Sequence, residues 1–239
     1  MKQLSLIFLG LCIAAGLSAS GYFISQTMYN AKVALNTAEA KGLAERRVEA
    51  DRANWTVRFS LDGSQEHKIA NLYKTAEDHQ RQIIDLLKQS GFDDNEIKIG
   101  VIDYRFQEFR DDNQNLVDSK QILEGSISIE TNNVKLVATA RSNVNKLIAK
   151  GINVSNNAPA YIYTKLNNIK PEMLREATKN ARLAANEFAE NAGVTVGGIR
   201  SARQGNFYIR DAGESYGDTQ KIEKDIRVVT TITFYLTDK

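Results

Sequence analysis

The feature that most constrains this chain is an uncharged N-terminal run from Gln3 to Asn30, bounded by Lys2 and Lys32. Its apolar part, residues 4–24, is about 21 residues long, enough at about 1.5 Å per residue to cross a hydrocarbon core about 30 Å thick. No side of the run is polar, which is not the pattern of an amphipathic helix on a water-soluble core. The sequence therefore predicts a helix that enters a membrane.

Two interpretations of this helix stay open. A secretory signal would be cleaved near Ser18-Ala19-Ser20, which loosely fits the small-x-small rule. An uncleaved anchor would keep Tyr22 and Phe23 at the outer interface, where aromatic side chains settle. The run is longer than the usual 7–15-residue apolar region of a signal peptide, which favours the anchor. Lys2 places the N-terminus in the cytoplasm, so the rest of the chain is exported under either interpretation.

The residue types that bind metals or act as thiol nucleophiles are scarce. Cys12, the only cysteine, lies inside the apolar run, so the exported part has no disulfide and no cysteine-based site. His67 and His79, the only histidines, are separated on one predicted helix by about 120° around its axis, so they cannot share a metal. We expect no metal and no cofactor.

Composition narrows the class of protein further. Hydrophobic residues make up 42% of the 239 and charged residues 25%, as in a folded globular chain. The 31 basic and 29 acidic residues form no basic cluster, so we expect no binding to nucleic acid. The acidic runs at 93–96 and 111–113 lack the spacing of a calcium loop, and no serine lies in a nucleophile elbow. The sequence predicts that the protein is not an enzyme.

Hydrophobic periodicity predicts an α+β fold with antiparallel or mixed sheets and three main helices on one face, preceded by the transmembrane helix. The predicted domains are an anchor, 1–30, and an α+β domain, 31–239. The repeated order of helix and hairpin also permits two βαββ-type lobes. We predict strands at 38–44, 55–61 (closed by Asp62-Gly63), 97–109, 123–129, 160–166, 194–209 and 226–236, and helices at 65–90, 133–151 and 171–193, the last with Phe188 on its inner side.

Several stretches resemble the SIMPL family, a domain of unknown function, in the right order. The most specific are the block KGLAERRVEADRANW at 41–55 and the block MLREATKNAR at 173–182. Shorter similarities occur at 151–152, 161–166, 204–207 and 226–230, and the resemblance covers nearly all of 38–237. The leading helix resembles a membrane-anchored branch of the family.

The resemblance implies a bacterial periplasmic or envelope protein. Family members are in some cases immunogenic, have proposed links to oxidative stress, and in some cases assemble into ring- or channel-like homo-oligomers. The family has no established catalytic residues to carry over. For this chain it implies a domain in the periplasm anchored in the inner membrane, or a soluble periplasmic domain after signal cleavage.

The signature residues also have plain structural interpretations. We predict that Trp55 anchors the core, and that Asp51 caps a turn or pairs with Arg46, Arg47 or Arg52. Glycines of the signature are expected at turns or bulges, and its alanines at helix packing positions. The predicted structural set is Gly42, Asp51, Trp55, Ala177, Ala181 and Gly205.

Tyr161 and Tyr163 alternate with Ile162 on a predicted strand. If Ile162 faces the core, both tyrosines point outward and can join a subunit contact. The leading hypothesis is thus a non-catalytic module that self-associates through strand edges and helix faces. The alternatives are a binding module for another envelope protein or peptide, through an exposed edge or the hairpin tip at 111–120, and, least favoured, an enzyme of unknown type.

Overall fold

A computed structural model describes residues 2–32, 36–64 and 66–238, and the predicted α+β class is confirmed. The helices of this part are α1 (Lys2–Lys32), α2 (Ile69–Gln89), α3 (Val134–Asn145) and α4 (Leu166–Asn191), with a 3-10 turn at Ile148–Lys150. The strands are β1 (Thr37–Glu49), β2 (Arg52–Ser64), β3 (Ile97–Arg110), β4 (Leu116–Thr131), β5 (Asn153–Asn156), β6 (Ala160–Ile162), β7 (Val194–Gln204), β8 (Tyr208–Asp211) and β9 (Glu223–Asp238).

Helix α1 contains the apolar segment Ile7–Tyr29, which is 23 residues long and uncovered by the rest of the described chain. Its length and composition are compatible with a membrane anchor or a signal sequence. Two hydroxyl groups of the segment bond to carbonyl oxygens of the same helix, an arrangement compatible with a bilayer. Ser20 donates to the carbonyl oxygen of Gly16, and Thr27 to that of Phe23, both at 2.8 Å.

The chain divides into two compact units, each assembled from separate segments. The first contains Met1–Ala44, Pro171–Phe207 and Arg227–Lys239, and the second contains Glu45–Lys170 and Tyr208–Ile226. The predicted division at residue 30 and the predicted pair of βαββ lobes stay predictions.

In the second unit, strands β3-β4-β2-β5 form a sheet in that order, and β6 also pairs with β2. Residues opposite one another on β2 and β4 include Trp55 with Ile129 and Phe59 with Gly125. The ring of Phe59 lies where a side chain at position 125 would be, since an added Cβ would come within 2.3 Å of it. Helices α2 and α3 close this core with Leu72, Ala76, Ile83, Leu87, Val134, Val137, Ala140 and Val144.

The first unit has a smaller core. Ala40 of β1, Ala181 and Ala185 of α4, and Ile232 and Phe234 of β9 form it, and the strand order of its sheet is β1-β9-β7. Strand β8 belongs to the second unit and pairs with β9, which begins in that unit. The β7–β9 register shifts between Val196 and Ile199, which places an irregularity of the ladder at Gly197-Gly198.

Several predicted boundaries were wrong because pairing across the sheet overrides local signals. Asp62-Gly63 does not end β2, since Gly63 still pairs with Gln121 of β4. The predicted strand at 160–166 shrinks to β6, and α4 begins at Leu166 with Pro171 inside it. Strand β5 was not predicted, and the predicted strand at 194–209 is divided into β7 and β8.

The inner side of α4 is also different from the prediction. Phe188 is 63% exposed, whereas Ala185 and Ala189 are buried. Because the buried positions are alanines at intervals of four, the helix lies close to its sheet and leaves no room there for a phenyl ring.

Candidate functional site

Strand β3 is the outer strand of its sheet, so one of its edges is open in the described chain. It pairs with β4 on one side, and no strand of the described ranges pairs with its other side. The N–H of Glu130 donates to the carbonyl oxygen of Glu96 at 2.9 Å, so even-numbered residues of β4 direct their backbone groups toward β3. The edge is therefore a row of backbone groups open to another strand.

The register identifies which groups these are. Asp103 and Arg105 lie opposite Glu124 and Ile122, so their backbone groups face β4. Backbone direction alternates along a strand, and the N–H and C=O groups of Ile102, Tyr104 and Phe106 therefore point to the free edge.

Large apolar side chains remain exposed beside this edge. Tyr104 is 46% exposed and Phe106 is 44% exposed, although they lie opposite the buried Leu123 and Gln121 on the face that carries the core. Ile99 and Val101, near a β-bulge between Ile99 and Ile102, are also exposed. Exposed large apolar side chains grouped along one strand are typical of interaction sites.

Helix α2 also carries exposed apolar side chains. The side-chain amide of Gln80 donates to the carbonyl oxygen of Gly100 at 3.0 Å, which places this side of the helix against β3. Tyr73 and Ile69 precede Gln80 by seven and eleven residues and so share its side of the helix. Both are exposed. We define Ile69, Tyr73, Tyr104 and Phe106 as the β3-edge surface.

The opposite face of β3 is charged. Asp103 lies directly opposite Glu124, which places two negative charges side by side, and Arg105 forms an ion pair with Glu124. Farther along, Lys98 pairs with Glu130 at 2.8 Å, and this hydrogen bond lowers the pKa of the Glu130 carboxyl. The edge thus has apolar groups on one face and alternating charges on the other.

The hairpin tip between β3 and β4 is held by one carboxylate. Asp111 accepts hydrogen bonds from the backbone N–H groups of Asn113 (2.9 Å) and Asn115 (2.8 Å) and from the Asn115 side chain (3.1 Å). These bonds, chiefly those from Asn115, lower the pKa of Asp111. Gln114 takes the left-handed conformation, with φ of 65°. The tip is therefore a turn with a defined set of hydrogen bonds.

Among the signature residues, Gly42 has the most demanding surroundings. An added Cβ would lie 1.8 Å from the carbonyl oxygen of Ala177 and 2.4 Å from the nitrogen of Ala181. Gly42 lies inside β1, where buried and exposed residues alternate without interruption, so the expectation of a turn or bulge there is wrong. Its role is to let the α4 backbone touch the strand.

Gly205 has a similar role at the end of β7. Its N–H donates to the carbonyl oxygen of Val229 at 2.8 Å, and an added Cβ would approach that same oxygen to 2.6 Å. Ala177 and Ala181 are fully buried, and Asn180 between them donates to the carbonyl oxygen of Leu43 at 2.7 Å. These contacts attach α4 to β1.

Asp51 binds the segment that leads into α4. It accepts hydrogen bonds from the Thr164 N–H (2.6 Å) and hydroxyl (2.8 Å), and Lys165 lies 3.7 Å away. Burial opposes ionisation of this carboxyl, but the Thr164 bonds outweigh it and the pKa of Asp51 is lowered. Two of the arginines expected to pair with Asp51 form ion pairs with other carboxylates, Arg47 with Asp225 and Arg52 with Glu130.

Trp55 is 2% exposed and belongs to the core of the second unit. Its indole N–H donates to the side-chain oxygen of Asn156 at 3.0 Å, and Arg141 donates to the same oxygen at 3.2 Å. This polar group is satisfied inside the core, as a buried tryptophan requires.

The expectation that Tyr161 points outward is wrong. Tyr161 pairs with the fully buried Ala53 and is only 7% exposed, because residues opposite each other in an antiparallel pair share one face. Tyr163 follows the end of β6 and is half-buried. Burial raises the pKa of both phenols. The outward subunit contact predicted for this pair therefore has no basis at Tyr161.

The structure contains a buried ion pair that the sequence patterns did not predict. Lys224 is fully buried and its ammonium contacts Asp211, whose carboxylate also accepts the backbone N–H groups of Gln220 (2.9 Å) and Lys221 (3.0 Å). Burial disfavours the charged carboxylate, but these donors lower the pKa of Asp211. Lys224 lies two residues before Ile226 and four before Val228, and all three side chains are buried on the same face of β9. This alternation in the sequence could have indicated that Lys224 is buried. Its satisfied bonds give it a structural role.

The described residues contain no group of three or more His, Cys, Asp or Glu placed to hold a metal ion. His67 contacts Ser64 (Nδ1–Oγ 2.8 Å), while burial lowers the pKa of His79. The candidate site of the described residues is thus the β3-edge surface with its open backbone groups.

A family model described as SIMPL, a protein of unknown function (DUF541), matches residues 39–234. No curated protein matches the chain. Among solved structures, an uncharacterized conserved protein from Listeria innocua is 14% identical, with 77% of this chain and 90% of that chain covered and a TM-score of 0.22. A proposed amidohydrolase/peptidase from Burkholderia cenocepacia is 10% identical, with 61% and 36% covered and a TM-score of 0.21. Neither likeness is close enough to support a conclusion.

Proposed function

The chain belongs to the SIMPL family of proteins of unknown function, and from this premise we propose that it is a non-catalytic envelope protein, anchored in the membrane, that acts by associating with further copies of itself. The observation that carries the proposal is the open edge of β3, where unpaired backbone groups adjoin exposed Tyr104 and Phe106. An edge of this kind is a template for another strand unless it is covered.

Helix α1 supports the membrane part of the proposal. Its apolar segment is long enough to cross a bilayer, and Lys2 on the short flank favours a cytoplasmic N-terminus with the folded units in the periplasm. Tethering every copy to one membrane raises their effective concentration, so a weak contact is sufficient for assembly. Cleavage of α1 would give a soluble periplasmic protein with the same surfaces.

A ring- or channel-like assembly requires more than one contact per copy. The two sheets provide separate ends, β1 and β7 in one and β3 and β5 in the other. The ring itself, and a link to the stress response, rest on the family resemblance.

The non-catalytic part of the proposal rests on how the charged groups are used. Asp51, Asp211 and Asp111 each have a lowered pKa, and in each case protein hydrogen bonds are the cause. Carboxylates held in this way support loops and strand ends. General acids instead need a raised pKa near the working pH.

The mass of the full-length protein in detergent, measured by light scattering at micromolar concentration, tests self-association. We expect a defined multimer whose mass falls on dilution. A monomer at every concentration would refute the proposal. An unchanged mass for the variant Leu183→Ser, at an exposed position on α4 in the first unit, is the control.

A second candidate function is binding of another envelope protein or peptide through the hairpin tip at 111–120. It is favoured by the defined turn around Asp111. Replacing residues 110–120 by a two-residue turn and comparing captured proteins with those of the intact chain tests it. Loss of a stoichiometric partner with an unchanged multimer would support binding, whereas loss of the multimer would assign the tip to self-association.

A further inference from the structure

We propose that β3 pairs with β3 of a second copy, antiparallel and centred on Tyr104, so that two sheets join into one. The inference rests on the proposed self-association and specifies its partner and register. In this register the second copy's Tyr104 lies opposite Tyr104, its Phe106 opposite Ile102, and its Arg105 opposite Asp103.

The direction of the backbone groups permits this pairing. Ile102, Tyr104 and Phe106 direct their N–H and C=O groups to the free edge, as the β3–β4 register shows. In an antiparallel pair, opposite residues that face each other exchange two hydrogen bonds. With a two-fold axis at Tyr104, each of these three residues forms a hydrogen-bonded pair with the second copy: Tyr104 with Tyr104, and Ile102 with Phe106 in both directions.

Charge selects this register from its neighbours. A two-fold axis perpendicular to the sheet keeps each face on its own side, so only shifts of two residues need comparison. Centring the pair on Asp103 would oppose two carboxylates, and centring it on Arg105 would oppose two guanidinium groups. Centring on Tyr104 opposes Asp103 and Arg105 twice, which is the complementary arrangement.

The charges already present on β4 favour the same arrangement. Asp103 lies opposite Glu124, and Arg105 already contacts Glu124 within the chain. The second copy's Arg105 would place a positive charge beside Asp103, relieving its repulsion with Glu124. Arg105 of each copy therefore provides a positive charge beside Asp103 of the other copy.

The apolar face is completed at the same time. Tyr104 and Phe106 lie on the core face of the sheet and are exposed there. Pairing places Tyr104 against the second copy's Tyr104 and Phe106 against the second copy's Ile102. Aromatic and β-branched side chains therefore contact each other across the new ladder. The bulge between Ile99 and Ile102, where Gln80 already binds the Gly100 carbonyl, limits the regular ladder to the middle of β3.

Disulfide trapping tests both the pairing and its register. The background is full-length Cys12→Ala, which removes the only cysteine, and the three single variants are Asp103→Cys, Tyr104→Cys and Arg105→Cys. In the proposed register, Tyr104→Cys brings two Cα atoms to about 5.5 Å. The other two place them about 8 Å apart, beyond the disulfide range of about 7 Å. Under mild oxidation in detergent, we expect Tyr104→Cys to form covalent dimers at least about fivefold faster than either neighbour.

The outcomes separate this inference from the proposed function. Faster trapping at 103 or 105 would overturn the register. No trapping at any of the three positions in protein that remains multimeric would overturn β3 pairing and leave self-association standing. Monomeric protein without trapping would overturn both. Circular dichroism of each variant shows that it is folded.

A charge exchange gives an independent readout. Asp103→Arg and Arg105→Asp should each raise the concentration of half-association about tenfold, because like charges then oppose each other across the pair. The double variant restores opposite charges and should return association to within about threefold of the parent. Thermal unfolding of each variant is the control, since intrachain pairing with Glu124 also changes. Equal association of the single and double variants would overturn the inference.

Discussion

Gly42 shows how one residue can fix the distance between a helix and a strand. Replacing it with alanine would place a methyl group 1.8 Å from the Ala177 carbonyl oxygen, an overlap that requires backbone movement. We predict that Gly42→Ala lowers the free energy of unfolding by about 1–3 kcal/mol or more. Urea denaturation followed by circular dichroism measures it.

Gly198 provides the matched control, since a Cβ added there meets nothing within 4 Å. Gly198→Ala should change the same free energy by less than about 0.5 kcal/mol. Equal effects of the two substitutions would show that the close approach at Gly42 does not matter for stability.

Asp51 gives a pH dependence whose sign is fixed by its hydrogen bonds. Its pKa is lower in the folded chain than in the unfolded one, where it is about 3.9. The stabilisation is therefore complete above that pH and is lost as pH falls through the folded value. We predict that Asp51→Asn costs about 1–3 kcal/mol at pH 7, and that the difference from the parent shrinks below about pH 4.

Urea denaturation at several pH values between 7 and 3 measures this difference. Asp62→Asn, at an exposed position on β2, is the control and should follow the parent at each pH. A constant difference between Asp51→Asn and the parent down to pH 3 would contradict the assignment of the Thr164 bonds to ionised Asp51.

At the scale of elements, α4 is held by its alanine stripe. Met173, Ala177, Ala181, Ala185 and Ala189 are the buried residues of this helix. Small side chains allow the backbone to approach the sheet, and the energetic consequence is a low tolerance for added volume on that side.

We predict that Ala185→Leu lowers the free energy of unfolding by about 1–3 kcal/mol because the site cannot hold the added volume. Phe188→Ala should change it by less than about 0.5 kcal/mol, since Phe188 is 63% exposed. Urea denaturation of both variants compares them. A larger effect of Phe188→Ala than of Ala185→Leu would show that Phe188 lies on the inner side of the helix, as expected from the sequence.

At the scale of the whole molecule, the fate of α1 decides whether copies are tethered. We predict that the protein made in bacteria keeps its full mass of 26.6 kDa and stays with membranes after an alkaline wash. Intact-mass spectrometry of the membrane fraction measures this. A chain lighter by roughly 2 kDa, released from membranes, would identify a cleaved signal peptide.

Much of the architecture was predictable from the sequence because the relevant signals are local. Uncharged length identifies α1, and the periods of 3.6 and 2 residues identify α2 and the β3–β4 hairpin. Hydrophobic periodicity did not predict the ends of strands that are set by pairing with a distant strand. Gly63 continues β2 because β4 lies opposite it, and the three-residue β6 exists only through its pairing with β2.

By itself, therefore, the sequence determined an apolar N-terminal helix, an α+β fold and membership of a family whose role is unknown. Only the tertiary structure showed that Tyr161 is buried, that Asp51 binds Thr164, and that Lys224 and Asp211 form a buried pair. It also showed that β3 is an edge. Periodicity reports which side of an element is apolar, whereas partners, edges and close approaches depend on which distant segments fold together.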